Sequence, residues 1–360
     1  MCAWMPCDRA LTLREGHPSG HAGFLLTVEE TEGVITSAAM DVGYMHRGAE
    51  KLFESRDYRQ VMMLANRHDW LSAIHSELAI ALNLEQCMGI TPPERATWIR
   101  MLLAEMNRIA VALAFIAPVL EGIVRQRALD AREALIGAQE IATGGRMHPM
   151  YTRIGGVAHG LGTVELDAID TALAQVTKAW DEIGDAIDAY AGAISSVSVL
   201  SRQQAIDYGT SGAVARASGL DIDLRRQQPY LAYAEVADLL PTNACTSGDA
   251  ADRYRALAAQ VGPSLRICER ASAQARSRLD EAFDVPLPKS VRAPEGLTSM
   301  SIEGPLGIMG TVLVMPWRLR LRTASFNNAQ AMQFALPGTH LDHVGDAVMS
   351  FFLVVGDIDR

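Results

Sequence analysis

Two histidines with a spacing suited to proton transfer lie near the N-terminus, in the string His17-Pro-Ser-Gly-His21. Pro18 lacks a backbone N–H and Gly20 disfavours helical order, so the string is not expected to form the α-helix that would otherwise carry both rings. Imidazole is the side chain best suited to exchange a proton near neutral pH. A fixed, non-helical pair formed by His17 and His21 is therefore a candidate for proton transfer, with one histidine orienting the other.

Two other interpretations of these histidines stay open. The spacing H-x-x-x-H also occurs in zinc sites on helices, but such a site needs a helix, a glutamate after the first histidine and a third ligand, and none of these is present. Alternatively, both rings are turn residues whose nitrogens bond to the backbone. No C-x-x-C pair occurs, and we expect neither a zinc nor an iron–sulfur site. The cysteines are Cys2, Cys7, Cys87, Cys245 and Cys268.

The composition is that of a globular chain. Its 360 residues are 49% hydrophobic and 21% charged, enough apolar sequence for a large core. The net charge is -10 and no stretch concentrates lysine and arginine, so nucleic acid is not an expected partner. The first residues lack the pattern of a signal peptide, and the longest apolar runs, 109–120 and 347–355, are shorter than the roughly 20 residues of a spanning helix. The chain is not expected to cross a membrane.

The elements that must position the histidines follow from the hydrophobic period, which changes twice. Residues 9–45 contain short β-prone runs, residues 47–284 repeat apolar positions every three or four residues, and β patterns return within 285–360. We predict an α+β, mainly α fold, in which a central helical bundle is flanked by small antiparallel β pieces from both ends of the chain. The whole chain, 1–360, is predicted to form a single domain.

Local signals predict where several elements begin and end. One helix should end at Gly89, because glycine tolerates the left-handed conformation found after helices. The next should start at Thr91, as the cap, with Pro92 in the first helical position, and run up to Pro118. The other predicted elements are helical sequence up to about Thr143, helices at 163–200 and 249–284, and strands at 299–302, 311–314 and 318–322.

Several longer strings are specific as an ordered set. They are His17-Pro-Ser-Gly-His21, Gly43-Tyr-Met-His-Arg-Gly-Ala-Glu-Lys51, Arg67-His-Asp69, Gly145-Arg-Met-His148, Tyr151-Thr-Arg-Ile-Gly-Gly-Val157 and Gly356-Asp-Ile-Asp-Arg360. Together they resemble the D-type subunit of bacterial NADH-quinone oxidoreductase (respiratory complex I), a relative of the large subunit of nickel–iron hydrogenases. The match is spread over most of the chain, and so many ordered matches are far more specific than any one of them.

The resemblance implies a fold like that of the nickel–iron hydrogenase large subunit and a place in the peripheral arm of a proton-translocating NADH-quinone oxidoreductase. Such a protein lies at the cytoplasmic face of the cell membrane. Its implied partners are a B-type iron–sulfur subunit with the last cluster, a C-type subunit and an H-type membrane subunit. Quinone is the implied substrate, whereas NAD and the iron–sulfur clusters belong to partner subunits and this chain binds no cofactor. The family's second histidine faces the quinone carbonyl, which makes His21 the expected catalytic residue.

The chain departs from the family at the quinone pocket. The family's quinone-facing tyrosine aligns with Ile80, which can neither donate nor accept a hydrogen bond. The expected quinone-binding positions are therefore His17, His21 and Ile80, with one arm of the quinone clamp lost. From their sequence neighbourhood, His75 or Tyr44 could replace the missing hydroxyl.

Two functional hypotheses follow from this departure. In the first, the chain is a working quinone-site subunit. In the second, it is a divergent duplicate that serves as a non-catalytic assembly scaffold with an iron–sulfur subunit, and Ile80 is its best support. A free-standing metal or hydrolytic enzyme would need ligands that the sequence lacks, and the cysteine pairs that hold nickel and iron in hydrogenases are absent. The family's acidic partner of the histidine has no assigned counterpart, and Glu121 and Asp130 are the nearest carboxylates.

Overall fold

Helices make up most of the fold and surround one long buried helix. The computed structural model describes residues 3–4, 10–11, 13–21, 23–242, 245–287, 294–315 and 318–360. The helices in these ranges are α1 Ala49–Phe53, α2 Tyr58–Ala65, α3 Ala73–Met88, α4 Glu94–Ile116, α5 Gly122–Thr143, α6 Thr163–Ala193, α7 Arg202–Asp207, α8 Gly212–Ala217, α9 Leu224–Gln227, α10 Ala250–Ala258, α11 Val261–Arg276, α12 Ala324–Ala335, α13 Val344–Met349 and α14 Val355–Ile358.

The strands form small antiparallel sheets, most of them near the two ends of the chain. Those in the described ranges are β1 Ala3–Trp4, β2 Ala10–Leu11, β3 Leu25–Thr31, β4 Val34–Asp41, β5 Thr152–Arg153, β6 Gly156–Val157, β7 Gly296–Glu303, β8 Ile308–Met315 and β9 Arg318–Arg322. The last three form one sheet in chain order, and the others pair as β1 with β2, β3 with β4 and β5 with β6. The predicted mainly α architecture with flanking antiparallel β pieces is confirmed.

Helix α4 is the centre of the bundle. It packs against α5 and α11, and α5 packs in turn against α6. Trp98, Leu102, Ile109 and Leu113, which the sequence places on one apolar face, are at most 1% exposed. The segment Glu94–Val119 is long and apolar enough to span a bilayer, but 94% of its most apolar window is buried inside the protein. Its burial is that of a core helix.

Polar side chains of α4 join the bundle to the C-terminal sheet. Arg108 donates hydrogen bonds to the carbonyl oxygens of Glu303 and Gly304, at 2.6 and 2.8 Å. It also donates to the Glu105 carboxylate at 3.1 Å, and that carboxylate accepts from Arg225 at 3.1 Å. All five residues are buried. Charge-assisted hydrogen bonds therefore hold the sheet to the core in addition to apolar contacts.

The predicted helix end at Gly89 is confirmed, whereas the predicted start of α4 is wrong. Gly89 has a left-handed backbone, with φ 64°, and its N–H bonds back to the last turn of α3. Helix α4 begins at Glu94 with Pro93 as its N-cap residue, so Thr91 does not cap it. Because Pro92 precedes another proline, the helical conformation is disfavoured at Pro92 and the helix starts later.

Two further helices differ from the prediction. The segment 249–284 contains α10 and α11 rather than one helix, because Pro263 lacks the N–H that would bond to Ala259 and its ring clashes with that carbonyl. The sequence pattern missed α12, whose buried positions include alanines and Asn328 and so form no apolar stripe.

Strand β9 confirms the prediction made from its alternating arginines and leucines. Leu319 and Leu321 are buried. On the other face, Arg318 pairs with Glu50 at 3.1 Å and with Glu54 at 3.0 Å. The alternation therefore follows the two faces of the strand, one in the core and one paired with acidic groups of α1 and its C-terminal end.

Candidate functional site

The loop that carries the two histidines is fixed by contacts with distant parts of the chain. Pro18–Gly20 forms a single turn of 3-10 helix, so the predicted absence of an α-helix is confirmed. The Glu15 carbonyl oxygen accepts a hydrogen bond from Arg125 of α5 at 3.2 Å. The Ser19 hydroxyl accepts one from the N–H of Leu353 at 3.1 Å. These bonds hold the loop between α5 and the C-terminal segment, which sets the position of the histidine that follows.

His17 lies inside the protein, beneath this loop. Its ring is 1% exposed and meets the edge of Phe115, with the ring centroids 5.3 Å apart. Nδ1 accepts the N–H of Ser19 at 3.3 Å, which places the proton of the neutral ring on Nε2, 3.5 Å from the Tyr254 hydroxyl. Burial, with a smaller effect of His21, lowers the pKa of His17 to about 3. His17 is therefore a neutral, structural cap in this conformation, and its predicted part in quinone binding stays a prediction.

His21 lies at an open cavity. Its side chain is exposed, and its ring meets Trp70 edge to face, with centroids 5.6 Å apart. The cavity, called here the His21 cavity, has a volume of about 530 Å³, within the range of small-molecule sites. It is bounded by the histidine loop, the end of α4, the first half of α5 and the segment before α3. Its lining residues are Glu15, Gly16, Pro18, His21, Trp70, Leu71, Ala114, Pro118, Arg125, Leu129, Arg132 and Met147.

A second cavity of about 30 Å³ adjoins the first and shares Trp70, Leu71, Arg132 and Met147 with it. Asn107 also lines this small cavity, and its Oδ1 lies 3.0 Å from Nδ1 of His75. Burial lowers the pKa of His75 to about 3, so the ring is neutral. His75 itself lines neither cavity, and its suggested role as a replacement for the missing hydroxyl stays a prediction.

The remaining sequence-predicted residues lie away from the His21 cavity. Ile80 is fully buried in a second apolar cluster that it shares with Leu313 of β8, and it lines neither of these cavities. Tyr44 is 63% exposed and donates a hydrogen bond to Asp41 at 3.3 Å. The structure therefore does not bring Ile80 next to His21, and the predicted quinone-binding role of Ile80 stays untested.

The two carboxylates named as nearest to the histidines are solvent-facing. Glu121 is 86% exposed and lies 3.5 Å from Arg14. Asp130 is exposed and accepts a hydrogen bond from Gln126 at 2.8 Å. Neither lines the His21 cavity. The acidic partner of His21 therefore has no assigned counterpart at this site.

No arrangement for a metal ion occurs in the described part of the chain. No group of three or more His, Cys, Asp or Glu side chains is placed there to hold one. Cys87, Cys245 and Cys268 are free thiols, and burial raises the pKa of each. Cys2 and Cys7 lie outside the described residues.

The sequence pattern did not identify the α5 side of the cavity. Arg125, Leu129 and Arg132 recur at four- and three-residue spacing and share one face of α5, which turns to the cavity. This spacing was the available signal, but a helix face with two arginines is equally typical of a solvent-exposed surface. The finished site combines an imidazole, two guanidinium groups and apolar walls, and it can bind a flat apolar group that carries oxygen acceptors.

Comparisons with known proteins cover nearly the whole chain. Residues 124–360 match the family model described as "Respiratory-chain NADH dehydrogenase, 49 Kd subunit". The second of the numbered D-type subunits of NADH-quinone oxidoreductase in Salinispora arenicola is 43% identical over 98% of this chain and 94% of its own length. The first of those in Streptomyces coelicolor is 42% identical over 98% and 95%. The D-type subunit of Bacillus cereus is 30% identical over 98% of both chains. The similarity therefore includes the histidine loop, the bundle and the C-terminal sheet.

Proposed function

This chain belongs to the family of the 49-kDa subunit of respiratory-chain NADH dehydrogenase, which is the D-type subunit of NADH-quinone oxidoreductase, and from that premise we propose that it forms part of the quinone-reduction pocket of such a complex. The observation that carries the proposal is the placement of His21 at the wall of a cavity of about 530 Å³. The contacts of Glu15 and Ser19 hold the histidine loop in place, so the imidazole is positioned before a ligand enters.

In the proposed reaction, the quinone ring enters the His21 cavity and packs against Trp70 and Leu129. Two electrons reach the ring from an iron–sulfur cluster in a partner subunit. Reduction places negative charge on the carbonyl oxygens, and a protonated His21 stabilises that charge and gives its proton to the nearer oxygen. Because His21 is exposed to solvent, it takes up a new proton without passing through the buried core.

The proposal assigns the other components to partner subunits. A B-type iron–sulfur subunit with the last cluster would complete the pocket, with a C-type subunit and an H-type membrane subunit as further neighbours. NAD would be oxidised elsewhere in the complex. The chain would then lie at the cytoplasmic face of the cell membrane as a peripheral component, and the complex would couple quinone reduction to proton translocation.

His21→Ala in the assembled complex tests the proposal. NADH oxidation is measured with a short-chain benzoquinone and, separately, with ferricyanide, which takes electrons before the quinone site. We expect kcat/KM for the quinone to fall about 100-fold or more, as for loss of a general acid, while the ferricyanide rate is kept. His343→Ala is the matched control, because His343 is a partly exposed histidine that lines no part of the His21 cavity. Unchanged quinone reduction in His21→Ala would contradict the proposal.

The scaffold hypothesis is the second candidate, and Ile80 is the observation that favours it. A fully buried isoleucine offers no hydrogen bond to a quinone. Binding of a quinone analogue is compared among the native complex, Ile80→Tyr and Ile80→Phe, since the last two differ only in the hydroxyl. Binding by none of them, together with an unchanged His21→Ala complex, would favour the scaffold. Binding by the native complex would contradict it.

A further inference from the structure

Arg132 is a half-buried cation at the His21 cavity, without a partner among the described residues. It lies on α5 and lines both the His21 cavity and the small adjoining cavity. Its Nε is buried and makes no hydrogen bond, and within the described ranges no hydrogen bond or ion pair joins its side chain to another residue. A guanidinium has five N–H donors, and donors removed from water without acceptors are costly. Arg132 therefore needs acceptors that this part of the chain does not provide.

The charged neighbours of Arg132 leave its charge in place. Glu133 is bonded to Arg146 at 2.7 and 3.0 Å, and Arg146 also bonds to Glu140. Burial lowers the pKa of the Arg132 guanidinium, Glu133 opposes that shift and Arg146 adds to it. At neutral pH the side chain is still an arginine cation, because an arginine pKa is far above 7. The cavity wall therefore carries a positive charge that is not paired locally.

Other buried arginines in the described chain are bonded, which sets Arg132 apart. Arg100 donates to both carboxylate oxygens of Glu85, at 2.7 and 3.0 Å. Arg253 donates to the Ser350 hydroxyl at 2.9 Å and to two carbonyl oxygens. Those arginines join segments of the fold, whereas Arg132 joins none of the described ones. The difference points to an acceptor that comes from outside the chain.

The cavity around Arg132 suits a flat apolar ring with oxygen acceptors. Trp70, Ala114 and Leu129 provide apolar walls, while His21 on the loop and Arg132 on α5 provide donors from separate segments. A carbonyl oxygen that gains electrons becomes a stronger acceptor. A planar cationic donor therefore binds it more tightly as the reaction proceeds, and that difference in binding accelerates the reaction.

We propose that Arg132 is a second catalytic residue of the quinone site and donates hydrogen bonds to the ring carbonyl oxygen opposite the one that His21 protonates. The inference rests on the proposed function. Two electrons from the partner's iron–sulfur cluster and two protons convert the two C=O groups to C–OH groups. His21 gives one proton, water in the open cavity gives the other, and Arg132 keeps its own. This hydrogen bond replaces the one that Ile80 cannot make.

The test compares Arg132→Met, which removes the charge at similar side-chain length, with Arg132→Lys, which keeps the charge, in the assembled complex. Arg127→Met is the matched control, because Arg127 lies on the same helix, is exposed and pairs with Glu182. With NADH and a short-chain benzoquinone, we expect Arg132→Met to lower kcat/KM by about 10- to 100-fold and Arg132→Lys to recover most of that loss. The control and all ferricyanide rates should stay unchanged.

A kcat/KM of Arg132→Met within about twofold of the wild type overturns the inference. His21→Ala in the same series separates this failure from failure of the proposed function. A loss in His21→Ala alone removes only the role of Arg132, whereas two unchanged variants remove the quinone site itself. If Arg132→Met does not assemble, Arg132→Gln decides, since it keeps hydrogen-bonding groups without the charge. A lowered kcat/KM in Arg132→Gln supports the inference, and an unchanged value overturns it.

Discussion

Replacing Glu105 by glutamine tests whether charge balance holds the core together. The Glu105 side chain is fully buried in α4. Its carboxylate accepts hydrogen bonds from Arg108 and Arg225, each at 3.1 Å, and from the hydroxyl groups of Tyr233 and Ser264, each at 2.6 Å. Burial alone would raise the pKa of Glu105, but Arg108 and Arg225 outweigh it and hold that pKa well below its usual range. The glutamate is therefore ionised in the folded protein.

The magnitude follows from the charges of the surrounding network. Three acids and three arginines are joined there by hydrogen bonds, and all six side chains are buried, so the formal charge sums to zero. Glutamine at position 105 removes one negative charge and leaves one positive charge uncompensated inside the protein. Breaking a buried ion pair in this way costs about 3–5 kcal/mol. The six residues are Glu105, Arg108, Arg216, Asp223, Arg225 and Glu303.

Urea unfolding, followed by circular dichroism on the purified chain, measures the effect. We expect the free energy of unfolding of Glu105→Gln to fall by about 3 kcal/mol or more. Glu121→Gln is the matched control, because Glu121 pairs with Arg14 at the surface, and it should stay within about 0.5 kcal/mol of the wild type. If Glu105→Gln loses less than about 1 kcal/mol, its carboxylate is not what balances the buried arginines, and the argument from charge is refuted.

Two further outcomes are expected from the structure. The pKa of His17 is about 3 when folded, below that of an unfolded histidine, so the unfolded chain binds the extra proton and stability should fall as pH drops from about 6.5 towards 3, by up to about 1.4 kcal/mol per pH unit. His17→Asn keeps an acceptor for the cap and should lose that part of the slope; parallel profiles for both proteins would contradict this. Gly212→Ala should destabilise the fold by about 2 kcal/mol or more, because φ is 65° and a Cβ would overlap the Leu306 carbonyl oxygen. Gly184→Ala, in an open position of α6, should instead stabilise it by about 0.5–1 kcal/mol in the same thermal unfolding assay, and equal effects would contradict the distinction.

The sequence by itself determined the local features and the family. Gly89 ends α3 because a left-handed backbone suits glycine, and Pro18 with Gly20 keeps the histidine loop out of an α-helix. The strand β9 could be predicted from alternating arginines and leucines. These features depend on neighbours along the chain, so they are visible without a fold. The ordered strings were likewise sufficient to identify the family.

Only the tertiary structure decided which residues meet at the site. His17 and His21 are the same residue type four positions apart, yet contacts with Phe115 and Tyr254 bury His17 and leave His21 at the cavity. Nothing in the pattern of α5 indicated that Arg132 would face a cavity with no bonded partner in the described ranges. Burial and pairing are set by groups that are distant in the chain, because a side chain's solvation and charge depend on whatever the fold places beside it.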